Sequence, residues 1–310
     1  MAEDLSTIKI GVLGPGAVGS LLAASLFKSG FDVSCLGSQR AADSILDIGI
    51  RVKSSFFGDF VAYPKCNPST YSLLDVIFIA VKAPALAGSL EQMAHYIGPN
   101  TVIVTLLNGV GHREKIRQTL GCRVAVGVIG SVEVYLDEDR AVLHRSKVAP
   151  HIEIASDVDV ESEFLSSISV ILKQCDFSVL IRENENQVIW NKLVRLAAIA
   201  TLTSYSQKDV GSIRSDGRLR KLLEGVVREL CLIAKTQDVK LSAIDVMHQI
   251  DNLPESLTTS LQRDISAGKV SEIDSILGKS LRLGRLYGIA APSIEYCYLS
   301  ILAEINSRSS

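Results

Sequence analysis

The segment from Ile8 to Gly19 constrains this chain more than any other. Apolar residues at Ile8, Ile10, Val12 and Leu13 break into Gly14-Pro15-Gly16-Ala17-Val18-Gly19, and an apolar run from Ser20 to Phe27 follows at once. A buried strand, a glycine turn and an apolar helix in succession are the context in which G-x-G-x-x-G signifies a dinucleotide-binding turn. Gly14 permits the tight turn, Gly16 lets the backbone approach a pyrophosphate, and Gly19 lets the helix pack against its strand. Pro15, Ala17 and Val18 complete the turn. The helix N-terminus then offers unpaired N–H groups and partial positive charge to phosphates. The alternative is a glycine turn with a purely structural task.

The chain has 310 residues, 47% hydrophobic and 21% charged, long enough for two domains with separate cores. A net charge of −2 supplies no basic field for nucleic acid or anionic membrane, so a small-molecule partner is expected. Apolar runs such as residues 76–81 fall well short of the ~20 residues a membrane helix needs. The Asp-Leu-Ser-Thr lead-in before the first strand leaves no room for a signal peptide. Six scattered cysteines without C-x-x-C read as reduced thiols of a cytoplasmic protein. The five histidines do not cluster at ligand spacing, so no metal site is expected.

Gly30 ends the first helix and a second strand spans residues 31–36. An NAD enzyme usually carries an acid at the end of that strand for the ribose 2′-hydroxyl. Here the residues are Gly37-Ser38-Gln39-Arg40, with Asp32 and Asp43 displaced from the strand end. Ser38 and Arg40 suit a 2′-phosphate, which favours NADPH; otherwise Arg40 is a solvated residue opening the next helix. Residues 50–54 and 60–63 suggest a hairpin around Phe57-Gly58-Asp59. Continuous apolar runs at 75–81, 101–106 and 123–129 are those of strands covered on both faces. Helical patterns at 85–97 and 114–120 lie between them, so the sheet is largely parallel. Lys82 and Asn108 sit at strand carboxyl ends, where such sheets bind ligands. Alone, each reads equally as a loop residue. Shorter strands at 132–136, 140–144 and 151–154 suggest an antiparallel extension beginning at Ser131. A helix at 161–174 and a strand at 177–181 close the first domain, and polar residues 182–186 mark the junction.

Beyond it only helical patterns remain, at 188–205, 217–235, 243–250, 255–265, 271–287 and 292–305. The fold class is therefore α/β: a Rossmann-type doubly wound sheet over residues 1–183, then an all-helical domain over 184–310. That arrangement predicts an active site in the interdomain cleft. On the helix opening at Val188, about 100° per residue places Ile189, Leu193, Leu196, Ala197 and Ala200 on one stripe, with Lys192 at its border and Arg195 away from it. A border lysine is either partly desolvated, which lowers its pKa and eases proton donation, or a snorkelling side chain with a wet head. Ser260 falls in a helical segment after Pro254. Glu272 falls in the first turn of the 271–287 helix, where an acid also suits the helix dipole.

Taken together, I-G-V-L-G-P-G-A-V-G, V-I-F-I-A-V-K-A, L-L-N-G-V-G, W-N-K-L, T-S-L-Q-R-D-I and S-E-I-D resemble the 2-dehydropantoate 2-reductase (ketopantoate reductase) family over nearly the whole chain. The resemblance implies NADPH-dependent hydride transfer that reduces ketopantoate to pantoate, in pantothenate biosynthesis. It places Lys192 on the family's general acid, Glu272 on its active-site glutamate, and Ser260 on a substrate-binding serine. Asn108 and Lys82 match positions that anchor substrate and nicotinamide. Leu196 and Ala200 stand where the family often carries asparagines, and Leu107 where glutamine is frequent. Those departures leave three readings: ketopantoate itself, another or more apolar 2-oxo acid (or opine-type chemistry), and an NADP-binding sensor without turnover. A homodimer is compatible with the sequence.

Overall fold

The computed structural model describes residues 5–67, 72–130 and 132–309. The chain forms two compact units, Met1–Leu107 with His112–Val188, and Asn108–Gly111 with Ile189–Ser310. In chain order the first contains β1 (Lys9–Leu13), α1 (Ala17–Lys28), β2 (Asp32–Leu36), α2 (Gln39–Ile48), β3 (Ile50–Ser54), β4 (Phe60–Ala62), β5 (Lys65–Cys66) and β6 (Leu74–Ile79). It continues with α3 (Leu86–Met93), β7 (Ile97–Thr105), α4 (His112–Leu120), β8 (Arg123–Gly130), β9 (Val134–Leu136), β10 (Val142–His144), β11 (His151–Ala155), α5 (Ser162–Gln174) and β12 (Ser178–Arg182).

An eight-stranded sheet runs β12-β11-β8-β7-β6-β1-β2-β5. It is parallel except where β11 meets β8. One apolar core includes α1 and α5, and another includes α3 and Ile116 of α4. Strands covered on both faces have no wet side, which is why β6, β7 and β8 read as unbroken apolar runs. The short strands at 134–144 do not simply extend this sheet. β9 and β10 join the β3–β4 hairpin in a second sheet, ordered β4-β3-β10-β9, with β10 parallel to β3. Ser131, where the sequence pattern changes, lies outside the described residues. Helix α1 touches β1 and β2 of the large sheet and all four strands of the small one. Everything from Gly19 to Leu26 is consequently buried, and a helix enclosed in this way is apolar all round.

The helical pattern at 85–97 resolves into α3 flanked by two 3₁₀ turns. Strand β5 and helix α7 are short elements without a sequence periodicity of their own. Helix α6 (Glu185–Ser206) passes from the first unit into the second. The rest of the second unit is α7 (Val210–Ser215), α8 (Gly217–Lys235), α9 (Ala243–Asp251), α10 (Ser260–Ser266), α11 (Lys279–Leu286) and α12 (Pro292–Ser309). Helix α8 contacts α7, α9, α11 and α12. Its start is capped by Asp216, whose carboxylate accepts from the N–H groups of Arg218 and Leu219. The sequence stripe on α6 is too narrow: Val188, Trp190, Val194, Ala198 and Leu202 are buried along with it. Among the described residues no helix is long and apolar enough to cross a membrane.

Candidate active site

The glycine turn has the shape its sequence requires. Gly14 adopts φ +90°, and a Cβ there would come within 2.8 Å of the Val81 backbone nitrogen. Gly14 N–H donates to Leu36 carbonyl (2.9 Å), tying the turn to the end of β2. A Cβ on Gly19 would overlap the Gly14 carbonyl, so α1 can start this close to β1 only with glycine at that position. Gly16 differs: a Cβ there would meet nothing within 4 Å. The fold leaves that space beside the first turn of α1, whose N-cap, Gly16 itself, brings no side chain to the helix N–H groups. This cradle fits a diphosphate, since the N–H groups and helix dipole supply donors and charge and the missing Cβ permits approach.

At the end of β2, Gly37 packs so closely on Pro15 that a Cβ would lie 2.9 Å from its Cδ. Asn67, which the sequence gives no reason to single out, brackets Gly37. Its side-chain oxygen accepts from Gly37 N–H (3.1 Å) and its amide donates to Gly37 carbonyl (3.0 Å). Ser38 caps α2 by accepting from Ala41 N–H, and Arg40 is exposed in the first turn of that helix. Both displaced acids are engaged elsewhere. Asp32 pairs with Lys65 (2.7 Å) at the far end of β2, and Asp43 accepts from Gln39 (2.7 Å).

In the second unit, Lys192 Nζ donates to Asn108 Oδ1 at 2.7 Å. Lys192 is half-buried on α6; Asn108 lies three residues beyond the carboxyl end of β7. Burial pushes the Lys192 pKa down to about 8, the Glu272 carboxylate pushes it back up, and Arg195 adds to the lowering. The sequence missed Arg195, although its i, i+3 spacing from Lys192 is the signal that places the two side chains on adjacent surface. Glu272 does not lie inside the first turn of a helix. It precedes that turn, its carbonyl accepting from Ile276 N–H (3.0 Å) and Ser275 hydroxyl (2.8 Å). A π-helical turn over Asp274–Gly278 then leads into α11. Such turns recur at functional sites because the extra residue re-aims the side chains around it.

The other two candidates lie on other elements. The helix expected over 255–265 begins only at Ser260, which is exposed at its first position. Thr259 before it is buried, caps α10 by accepting from Gln262 N–H, and bonds Thr203 of α6 (2.8 Å). Thr203 already donates to Ile199 carbonyl, so Thr259 donates in that pair. Ser260 is thereby tied to α6 eleven residues beyond Lys192. Lys82 is not at the strand terminus itself: β6 ends at Ile79, and the exposed Lys82 is the N-cap of a 3₁₀ turn. Leu196 is half-buried and Ala200 buried, one and two turns beyond Lys192 on α6. Leu107, ahead of Asn108, is also buried.

Two sequence profiles match the chain: Ketopantoate reductase PanE/ApbA over residues 10–156, and the C-terminal part of the same family over residues 184–303. A 2-dehydropantoate 2-reductase from Pyrococcus horikoshii is 26% identical over 292 residues, covering 92% of this chain and 93% of its own. The Bacillus subtilis oxidoreductase YkpB is 24% identical over 299 residues, covering 95% and 98%. Among solved structures, D-mandelate dehydrogenase with NADH and anilino(oxo)acetate superposes with a TM-score of 0.88 at 20% identity. The match covers 97% of this chain and 99% of that one.

Proposed function

The chain belongs to the ketopantoate reductase family and is an oxidoreductase, and from that premise we propose that it reduces a 2-oxo acid with NADPH, ketopantoate being the first substrate to test. The reading rests on one observation above all: an ammonium depressed to about 8, bonded to Asn108 and facing the Glu272 charge. A bound reduced nicotinamide supplies the hydride. Lys192, protonated, donates to the substrate carbonyl oxygen and releases its proton as that oxygen gains charge. One well-placed donor of this kind is worth ~3–4 kcal/mol. Asn108 holds the amine in line, and Glu272 keeps enough of it protonated near neutral pH. Ser260 and Lys82 are assigned to substrate and nicotinamide contacts. Gly14 to Gly19 are assigned to the diphosphate, and Ser38 and Arg40 to the 2′-phosphate. In this reading residues 1–183 bind the dinucleotide and 184–310 carry the acid. The reaction is a step of pantothenate biosynthesis in the cytoplasm.

A second reading has its own support. Leu196, half-buried one turn beyond Lys192, is apolar where the family often carries asparagine, which suits a 2-oxo acid with a bulkier apolar side chain. The solved neighbour holding anilino(oxo)acetate acts on a 2-hydroxy acid of that kind. Steady-state NADPH and NADH oxidation with ketopantoate, an aryl 2-oxo acid and a branched-chain 2-oxo acid separates these readings. A higher kcat/KM for ketopantoate with NADPH supports the first, and a preference for the aryl acid the second. NADPH binding without turnover of any acid overturns both in favour of a sensor.

A further inference from the structure

Strands β2 and β5 are parallel neighbours with Cys35 directly opposite Cys66. Residues paired in this way point to one face of the sheet, and here Cys35 belongs to the core cluster on that face while Cys66 packs against the same cluster. Neighbouring strands lie ~4.8 Å apart, inside the ~4.4–6.8 Å that a disulfide spans between Cα atoms. The two thiols also sense one another directly. A hydrogen bond with Cys35 lowers the Cys66 pKa, and the same bond, with burial, raises that of Cys35. Cys66 is half-buried on the edge strand β5, its sulfur 3.7 Å from the Pro64 carbonyl. The remaining thiols are held protonated by burial, Cys122, Cys175 and Cys231 at about 11 and Cys297 at about 12.

The residue after Cys66 is the one that brackets the turn beyond β2. Asn67 N–H donates to the Cys35 carbonyl (3.0 Å), and the Asn67 side chain makes both bonds to Gly37. Asn67 holds this position with φ +38°, on the left-handed side that asparagine adopts more readily than most residues. Gly37 in turn packs on Pro15 of the glycine turn.

We propose that Cys35 and Cys66 are a peroxide-sensitive dithiol whose closure to a disulfide displaces Asn67 and weakens dinucleotide binding. The site stands on the strand register and the shared face; its effect on the cofactor rests on the function proposed above. The Cys66 thiolate attacks one oxygen of hydrogen peroxide, the O–O bond breaks, and the departing hydroxide takes up a proton to leave as water. The sulfenic acid formed on Cys66 is then attacked by the Cys35 sulfur. The S–S bond forms, the S–O bond breaks, and the hydroxyl departs with the Cys35 proton as a second water. Two thiols are oxidised by two electrons and one peroxide is reduced to two waters. A dithiol reductant returns both thiols.

The test is titration of the full chain with hydrogen peroxide. Thiols are counted after denaturation, the disulfide is located by peptide mapping, and NADPH affinity is measured before oxidation, after it, and after dithiothreitol. The expected result is loss of two thiols, a linked peptide pair containing Cys35 and Cys66, and NADPH binding weakened by about 5–150-fold, the usual span of allosteric coupling, with recovery on reduction. Cys66→Ser, at the sheet edge, and Cys35→Ala should each abolish both the linked pair and the peroxide response of NADPH affinity. A map without that pair, or a pair that leaves NADPH affinity unchanged, overturns the proposal. If the reduced protein binds no NADPH, the functional reading and the proposed coupling both fail, while the map still decides whether the dithiol exists.

Discussion

At the residue scale the proposed chemistry depends on how one amine is held. In that mechanism Lys192 donates only when protonated, and its pKa of about 8 places the loss of that form just above neutrality. The kcat/KM for reduction should therefore be level below pH 8 and fall about tenfold per pH unit above it. Glu272 raises the lysine pKa and Arg195 lowers it. Glu272→Gln should move the alkaline limb to lower pH, and Arg195→Gln should move it higher, both read from pH–rate profiles. Lys192→Ala should cost about 10²–10³ in turnover with NADPH affinity retained in a fluorescence titration. Wild-type turnover in that variant would remove Lys192 from the mechanism. A lysine at the edge of an apolar stripe is visible in the sequence. The size of its acidity is not, because the burial that lowers its pKa and the opposing Glu272 charge arise only after folding.

At the element scale, two junctions organise the molecule. The first is the β1 turn into α1, where two glycines of one motif fail differently. Gly19→Ala drives a Cβ into the Gly14 carbonyl and should destabilise the protein by about 1–3 kcal/mol. Gly16→Ala meets no protein atom, so the thermal midpoint without cofactor should be unchanged while the stabilisation conferred by NADPH shrinks. Scanning calorimetry with and without NADPH checks both. The second junction is the start of α6, which polar residues 182–186 mark in the sequence. Within that run Glu185 is only 1% exposed. It receives Arg113 (2.7 Å) and Arg117 (3.0 Å), accepts from Asp157 N–H, and gives its own N–H to Asp157. Burial raises its pKa against the pull of both arginines. Glu185→Ala would remove the buried carboxylate that the two arginines share, leaving Arg113 with Glu114 and Asn186 and Arg117 with Asp159, and should cost about 1–3 kcal/mol, measured as a fall in the urea midpoint. A carboxylate in a polar run carries no sequence mark of such burial, since its arginines lie some seventy residues away.

For the whole molecule, stability should respond to acid through the small sheet under α1. Ser54 hydroxyl accepts from the N–H groups of Phe56 (3.1 Å) and Phe57 (2.9 Å), so its own proton goes to His144 Nδ1 at 2.8 Å. The buried ring is thereby held neutral. Burial lowers its pKa below 6.5, and Glu133 restores only part of the shift. A folded pKa beneath the unfolded one means that the unfolded chain binds more protons in that window. This contribution is complete above pH 6.5 and is lost as pH falls toward the folded value. The denaturation midpoint should decline from about pH 6.5 downward, and less so in His144→Gln. An equal decline in both proteins would rule the ring out as the cause.

What the sequence determined by itself is local and periodic. The β1–glycine–α1 unit, the doubly covered strands, the switch to helices and the extent of α8 all follow from neighbouring residues and repeating apolar spacing. Contacts distant along the chain were decided only by the tertiary structure. They separate β9 and β10 into a second sheet, set Asn108 against Lys192, bury Glu185 between arginines, and bring Cys35 level with Cys66. Sequence patterns record which face of an element avoids water. They do not record which polar group from another element arrives there, and that arrival sets charge, acidity and reactivity.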